Sequence, residues 1–154
     1  MRKTIYPLVV PIVAVLGLVG QVSPAAAAAN SQCPAGKVCL YDGLGWNSDL
    51  SGSTDLWSDV TGNQSDLRRY FWHNGSGATT GQSVQDDITS IKNRTNCVVS
   101  FYVDTNYGTG GYPEFEVGPG EYRGDLSAWG MNNKISSVAF SCPGGSAYST
   151  RRWS

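Results

Sequence analysis

Two stretches of the chain, 47 positions apart, carry the same unusual pattern of polar residues. The second begins with the adjacent carboxamides Asn132 and Asn133, reaches a hydroxyl at Ser136 and then enters an apolar, strand-like segment. The first begins at Gln85 and is an imperfect repeat of the second. Amide and hydroxyl groups supply oxygens and Asn tolerates turn conformations, so each stretch is typical of an oxygen-lined loop leading into a β-strand. Two copies predict an internally duplicated fold.

A shared opening precedes each loop. An aromatic-ended strand enters a tight turn, and a second aromatic follows five residues after the first, at Tyr41 and Trp46 and again at Tyr102 and Tyr107. Hairpin chemistry recurs in any β protein, so the opening alone is weak evidence. The same order of opening and loop in both halves strengthens the interpretation as a repeat.

The remaining pattern is typical of an all-β chain, because glycines are frequent and no window keeps a helical period. Residues 97–102 are the strongest strand signal, and residues 112–117 alternate apolar and polar side chains. Residues 62–83 predict a strand followed by a long surface loop. The aromatic cluster within that stretch, residues 70–73, is interpreted as core and rim packing rather than as a ligand box.

The N-terminus is typical of a signal peptide spanning residues 1–29, with a basic start, an apolar run over 5–22 and small residues at 25–29. A membrane anchor is the alternative, but two prolines and the run of small residues argue against it. We therefore expect a secreted protein that is not membrane-bound in its mature form. Residues 30–142 are predicted to form one domain, followed by a flexible tail over 143–154.

Removal of Arg2 and Lys3 with the leader leaves nine basic and 12 acidic residues, a net charge of −3. This balance argues against nucleic acid and anionic lipid as partners. The mature chain is expected to be monomeric.

All four cysteines lie in the exported part, which predicts two disulfides in a secreted chain. Three pairings are possible, and the favoured one joins Cys33 to Cys39 and Cys97 to Cys142. The chain-entropy model gives the second, longer loop a contribution of about 4 kcal/mol. A zinc site is the alternative, but the cysteine spacings are wrong for one and His73 is the only histidine.

The aromatic hairpins and the paired Asn/Asp-rich loops ending in Ser or Thr resemble the βγ-crystallin Greek-key motif. The leader, the Cys-Pro…Cys-Leu-Tyr segment over residues 33–41 and the placement of Cys97 and Cys142 are similar to the secreted actinobacterial peptidase inhibitor family I36. The resemblance covers roughly residues 33–142. It implies an all-β, βγ-crystallin-like double Greek-key β-sandwich of two four-stranded antiparallel sheets, here stapled by two disulfides.

This resemblance also implies a function. Inhibitors of the family present a reactive bond at a Cys-Val step, and the matching bond here joins Cys97 and Val98. The implied partner is an extracellular protease, and the apolar side chains of Val98 and Val99 suit a pocket of a thermolysin-like metalloprotease. A rigid, disulfide-anchored segment would bind with little ordering cost. The alternative interpretation of this segment is simply a buried strand.

The second hypothesis is a secreted calcium-binding βγ-crystallin module without inhibitory activity. Ca²⁺ takes six to eight oxygen ligands and prefers charged ones. The candidates are the side chains of Gln85, Asp86, Thr89, Asn132, Asn133 and Ser136. Asp86 and Asp87 add charge to one loop only, so binding is expected to be weak and no cofactor to be required. The alternative is that these residues only close the Greek-key turns.

An enzyme is the third hypothesis and the one the sequence disfavours. There is no Gly-x-Ser-x-Gly motif, and the carboxylates are scattered along the chain. His73 also has no nearby cysteine outside the predicted disulfides. We therefore expect a protein that is not an enzyme.

Overall fold

A computed structural model describes residues 33–47 and 55–144. The predicted signal peptide and nearly all of the predicted C-terminal tail lie outside the described residues and stay predictions. Within the described ranges, the strands are β1 (Val38–Tyr41), β2 (Trp57–Val60), β3 (Phe71–His73), β4 (Thr79–Ser83), β5 (Ser90–Asn93), β6 (Val98–Tyr102), β7 (Phe115–Val117), β8 (Tyr122–Arg123) and β9 (Ser137–Ser141). Short 3-10 helices span Leu44–Trp46, Leu67–Arg69, Thr105–Tyr107 and Leu126–Trp129. None of the helices in these ranges has the length and apolar character needed to cross a bilayer.

The described strands form two sheets in which every pair is antiparallel. The larger sheet has the order β4-β3-β2-β1-β5-β8, and the smaller has the order β7-β6-β9. The predicted all-β Greek-key sandwich is therefore confirmed.

Each sheet takes backbone from both halves of the chain. Strand β8 belongs to the second half but pairs with β5 of the larger sheet, where Ile91 lies opposite Arg123. In return, Gln64 of the first half forms an antiparallel bridge with Val138 of β9. With the bridge at Gln64 counted, the smaller sheet has four strand positions. Strands β2, β1, β5 and β8 form the corresponding four in the larger sheet, as the resemblance to crystallins implies.

The hairpin β3–β4 extends the larger sheet to six strands. The prediction of a strand followed by a long loop over residues 62–83 is therefore wrong in its second part. The turn begins at Asn74, whose side-chain Oδ1 accepts hydrogen bonds from the N–H groups of Ser76 and Ala78. Asn commonly closes turns in this way, and here it returns the chain as a paired strand.

The core lies between the sheets and follows the two-residue period of the strands. Leu40 and Ile91 from the larger sheet and Val99, Phe101 and Val138 from the smaller sheet are fully buried there. Trp72, in the predicted aromatic cluster, is fully buried as well, so the interpretation of that residue as core packing is confirmed.

The predicted disulfides, Cys33–Cys39 and Cys97–Cys142, are both present. The first lies against Tyr41 in a small apolar cluster, separate from the main core. The second joins the residue before β6 to the residue after β9, at one end of the smaller sheet.

Candidate functional site

The first aromatic hairpin is held by a buried serine from the strand after the first oxygen loop. The Ser90 hydroxyl donates to Gly43 O at 2.7 Å and accepts from the N–H of Trp46 at 3.1 Å. Trp46 has a positive φ of 62°, which the bound N–H helps to maintain. This serine thus ties the opening of the motif to its end.

The second hairpin repeats these contacts. The Ser137 hydroxyl donates to Asp104 O at 2.6 Å and accepts from the N–H of Tyr107 at 3.1 Å. Tyr107 has a φ of 64°, and its ring packs edge-on against Tyr102 at 5.6 Å. The duplication predicted from the sequence therefore extends to individual hydrogen bonds.

The two oxygen loops lie side by side and are joined through their backbones. The N–H of Asp86 donates to Ile135 O at 3.0 Å, and the N–H of Asn133 donates to Ile88 O at 3.1 Å. Asp86 and Asn133 both adopt left-handed backbone conformations, with φ of 55° and 54°. These residues occupy equivalent positions, so the loops are related by an approximate two-fold axis.

The side chains of the loops also cross from one motif to the other. Ser136 Oγ donates to Asp86 Oδ1 at 2.9 Å, and Thr89 Oγ1 lies 3.5 Å from Asn133 Oδ1. The amide of Gln85 donates to Ser136 Oγ at 3.1 Å. The structure therefore brings these five predicted candidates into two clusters, each built from both loops.

Two amide oxygens of the oxygen loops have no hydrogen-bond partner in the described part of the chain. Gln85 Oε1 and Asn132 Oδ1 are buried and have no hydrogen-bond partner within the described ranges. They occupy equivalent positions in the two loops. Buried polar atoms are nearly always paired, so these two equivalent oxygens are acceptors that a cation would satisfy, and oxygen is the ligand that Ca²⁺ prefers. The six predicted ligands are all oxygen donors, the kind that Ca²⁺ takes, and whether they bind it stays a prediction.

Charge in the two clusters is sparse. Asp86 is the carboxylate that takes part directly, since the Asp87 Oδ2 atom already accepts from Trp72 Nε1 at 2.9 Å and from Gln82 Nε2 at 2.6 Å. Residues 33–47 and 55–144 contain no group of three or more His, Cys, Asp or Glu side chains arranged for a metal ion. Asp87 therefore fixes the core Trp72 rather than adding to the cluster.

Burial shifts the pKa of ionisable groups around the first hairpin. Burial raises the pKa of Asp42, although its carboxylate accepts the Leu56 N–H at 2.9 Å. Burial also lowers the pKa of Lys92, whose ammonium lies 4.9 Å from the Trp46 ring, and the nearby Arg94 lowers it further. The largest cause of each pKa shift is the cost of removing a charge from water.

The predicted reactive bond lies at the first residue of β6, the central strand of the smaller sheet. Cys97 is buried, with 4% of its surface exposed, and Val98 is half-buried and paired with Ser141 of β9. Because side chains alternate along a strand and Val99 faces the core, Val98 faces outward. The prediction that Val99 is also offered to a protease is wrong, because its side chain is fully buried between the sheets.

Sequence reasoning missed Asn93, which ends β5 and contacts the reactive segment. Its side-chain Nδ2 donates to Cys97 O at 2.9 Å, and its Oδ1 accepts from the N–H of Thr95 at 2.9 Å. The Asn-x-Thr spacing is typical of a side chain that closes a local turn and was the available signal. Asn93 Nδ2 also lies 3.1 Å from Val117 O of β7 in the other sheet, and this contact has no local sequence signal.

Comparison with known proteins identifies the family. The sequence model of peptidase inhibitor family I36 matches residues 26–115, more than half of the 154-residue chain. The chain belongs to peptidase inhibitor family I36. Membership implies a protease as partner and favours a protein that is not an enzyme. The two disulfides are compatible with an oxidising compartment.

A solved βγ-crystallin domain shares the fold of this family member. A domain from work on the evolution of the eye-lens βγ-crystallin fold is 25% identical, with a TM-score of 0.54, and the match covers 73% of this chain and 92% of that one. Spherulin 3a from Physarum polycephalum is 23% identical, with a TM-score of 0.49 and coverage of 75% and 93%. A βγ-crystallin from an archaeon is 24% identical, with a TM-score of 0.45 and coverage of 70% and 99%. No curated protein matches the sequence.

Proposed function

We propose that this I36 member is a secreted inhibitor of thermolysin-like metalloproteases and that the bond between Cys97 and Val98 is the one presented to the enzyme. The observation that carries the proposal is the anchoring of this bond on both sides. A disulfide to Cys142 holds the residue before it. Ladder pairing with β7 and β9 holds the strand after it.

The anchoring supports inhibition because a protease binds extended backbone. Strand β6 is already extended, so little conformational freedom is lost on binding. The half-buried, outward-facing side chain of Val98 is the one available to an apolar pocket of the enzyme. Because Cys97 itself is buried, the enzyme would approach from the outer face of the smaller sheet and the loop at residues 94–96.

The test is a titration of the oxidised mature protein against a thermolysin-like metalloprotease and a subtilisin-like serine protease. Val98→Asp places a charge where the apolar pocket would be and should abolish inhibition of the first enzyme. Thr80→Asp is the matched control, because it places the same charge on the exposed strand β4 of the other sheet. Thr80→Asp should inhibit like the natural protein.

Other results would revise the proposal in defined ways. Full inhibition by Val98→Asp with loss in Thr80→Asp would keep the function and move the site to the hairpin β3–β4. No inhibition of either protease by the natural sequence would contradict the proposal. Secretion is checked separately by mass spectrometry of the N-terminus recovered from the culture medium.

A second candidate function, calcium binding, is favoured by the two unpaired buried oxygens of Gln85 and Asn132. A bound Ca²⁺ would place a positive charge next to these oxygens and Asp86. It would also stabilise the contact between the two loops. A ligand that binds only the folded state raises the melting temperature. Melting curves with millimolar calcium, with magnesium and with chelator test this, and identical midpoints would end the proposal.

A further inference from the structure

Asn93 is a fully buried polar residue at the junction of the two sheets. Its Nδ2 atom lies within hydrogen-bond distance of three carbonyl oxygens, those of Cys97 (2.9 Å), Val117 (3.1 Å) and Gly118 (2.9 Å). The amide has two hydrogens, so one of them is shared between two of these oxygens. Its own backbone N–H donates to Glu121 O at 2.9 Å. One side chain from the larger sheet therefore connects β5 to the ends of β6 and β7.

The same amide also holds the other side of Cys97 through a relay. Asn93 Oδ1 accepts from the Thr95 hydroxyl at 2.7 Å, and that hydroxyl oxygen accepts from the Cys97 N–H at 3.1 Å. Both the N–H and the C=O of Cys97 are thus tied to Asn93, one through Thr95 and one directly. The Cys97 carbonyl is the carbonyl of the proposed reactive bond.

We propose that Asn93 is the positioning residue that makes the Cys97–Val98 bond an inhibitory bond rather than a good substrate. This inference depends on the proposed function. Hydrolysis requires the carbonyl carbon to become tetrahedral while its oxygen moves onto the electrophile of the protease. The Cys97 oxygen already accepts a hydrogen bond from the buried amide of Asn93. The transition state therefore requires that hydrogen bond to bend or break.

The arrangement also favours the reverse reaction. Hydrolysis would consume one water, break the C–N bond and leave a carboxylate on Cys97 and an ammonium on Val98. The Cys97–Cys142 disulfide and the Asn93 amide would retain the carboxylate, and pairing with β7 and β9 would retain the ammonium. Because both ends stay in place, re-formation of the bond with release of water is an intramolecular step.

Three variants separate this role from simple packing. Asn93→Ala removes the side-chain amide. Thr95→Val removes the hydroxyl that links Asn93 to Cys97 while keeping nearly the same side-chain shape, and Thr95→Ser keeps that hydroxyl. Ser100→Ala is the matched control, since Ser100 is a buried residue of β6, the strand that follows the reactive bond, and its hydroxyl donates to Glu116 Oε1 at 2.8 Å. Each folded protein is incubated with the thermolysin-like metalloprotease. Cleavage between residues 97 and 98 is followed by mass spectrometry after reduction, alongside residual inhibition.

We expect kcat for cleavage to rise by about tenfold in Asn93→Ala and by a few fold in Thr95→Val, the order that loss of one hydrogen bond gives. Inhibition by both should become temporary, while Thr95→Ser and Ser100→Ala should match the natural protein. If Asn93→Ala does not fold, Thr95→Val against Thr95→Ser decides the question.

Cleavage at the natural rate in folded Thr95→Val and Asn93→Ala would overturn the inference and leave the proposed function standing. Equally fast cleavage of Ser100→Ala would also overturn it, because the effect would then be general loosening. Absence of inhibition by the natural protein would overturn both the proposed function and this inference.

Discussion

Residues 38–93 and residues 98–141 build the same motif, yet they secure it with different side chains. The backbone contacts between hairpin, loop and closing strand are equivalent in the two halves. The first half places the carboxylate of Asp86 where the second places the neutral amide of Asn133. A six-residue disulfide spacing staples the first half, and a 45-residue spacing staples the second. The difference shows that hydrogen bonds of the loops and hairpins define the motif, while charge and cross-links vary around them.

The largest expected contrast is between the two disulfides. Replacing Cys97 and Cys142 by serine should lower the free energy of unfolding by about 4 kcal/mol, against about 2 kcal/mol for Cys33 and Cys39, because the longer loop releases more chain entropy when opened. Urea denaturation of both double variants measures this. Equal losses would contradict the entropic explanation and indicate that local packing of the sulfurs dominates.

The two buried serines test whether the halves are energetically equivalent. Ser90→Ala and Ser137→Ala each leave one carbonyl and one N–H of a hairpin without a partner. Each should therefore cost about 1–3 kcal/mol of unfolding free energy. Losses of unfolding free energy that agree within error in the same denaturation series would show that the two hairpins are energetically equivalent. A loss confined to one variant would mean that only one hairpin depends on its serine.

Exchange of the loop charges should move calcium affinity from one half to the other. Asn133→Asp adds a carboxylate to the second loop and should tighten binding about tenfold, or ~1.4 kcal/mol, whereas Asp86→Asn should weaken it by a similar factor. Calcium titration by calorimetry, with magnesium as control, measures both variants. Unchanged affinity in both would show that neither side chain contacts the ion.

The smallest change in stability at neutral pH is expected for substitution of Tyr41. Its hydroxyl is buried without a hydrogen-bond partner among the described residues. Burial, with a contribution from Tyr122, raises its pKa to about 12. The unfolded phenol titrates near 10, so the neutral form stabilises the fold fully below pH 10, and this contribution is lost as pH rises towards 12.

Tyr41→Phe should therefore leave stability at pH 7 nearly unchanged and make the decline between pH 10 and 12 shallower. Unfolding free energies at pH 7, 10 and 11.5 test this. Parallel curves for the natural protein and the variant would show that another group causes the alkaline loss of stability.

The strands that the sequence predicted best are those with strong local signals. Strand β6 coincides with the apolar run, and the hairpins lie where the aromatics repeat, since burial of alternating side chains is a local pattern. The hairpin β3–β4 was missed because its second strand is polar and exposed at the sheet edge. Its pairing to β3 depends on a turn and a neighbouring strand rather than on its own residues.

The candidate sites divide in the same way. The equivalence of the two oxygen loops was predictable, because the same residue pattern recurs in the sequence after 47 positions. The contact between Ser136 and Asp86 and the contact between Asn93 and Gly118 join residues that are far apart in the chain. Such contacts have no sequence pattern and exist only once the strands have paired.

Residue order by itself determined the duplication, the all-β class and the oxygen-rich character of the loops, because each follows from periodicity and composition over a few residues. Tertiary structure alone decided that β8 and Gln64 exchange sheets, which side chains of one loop face the other, and that Asn93 holds the Cys97 carbonyl. The physical reason is that a buried donor or acceptor must find a partner wherever the packed chain supplies one. Only the assembled sandwich determines where that partner is.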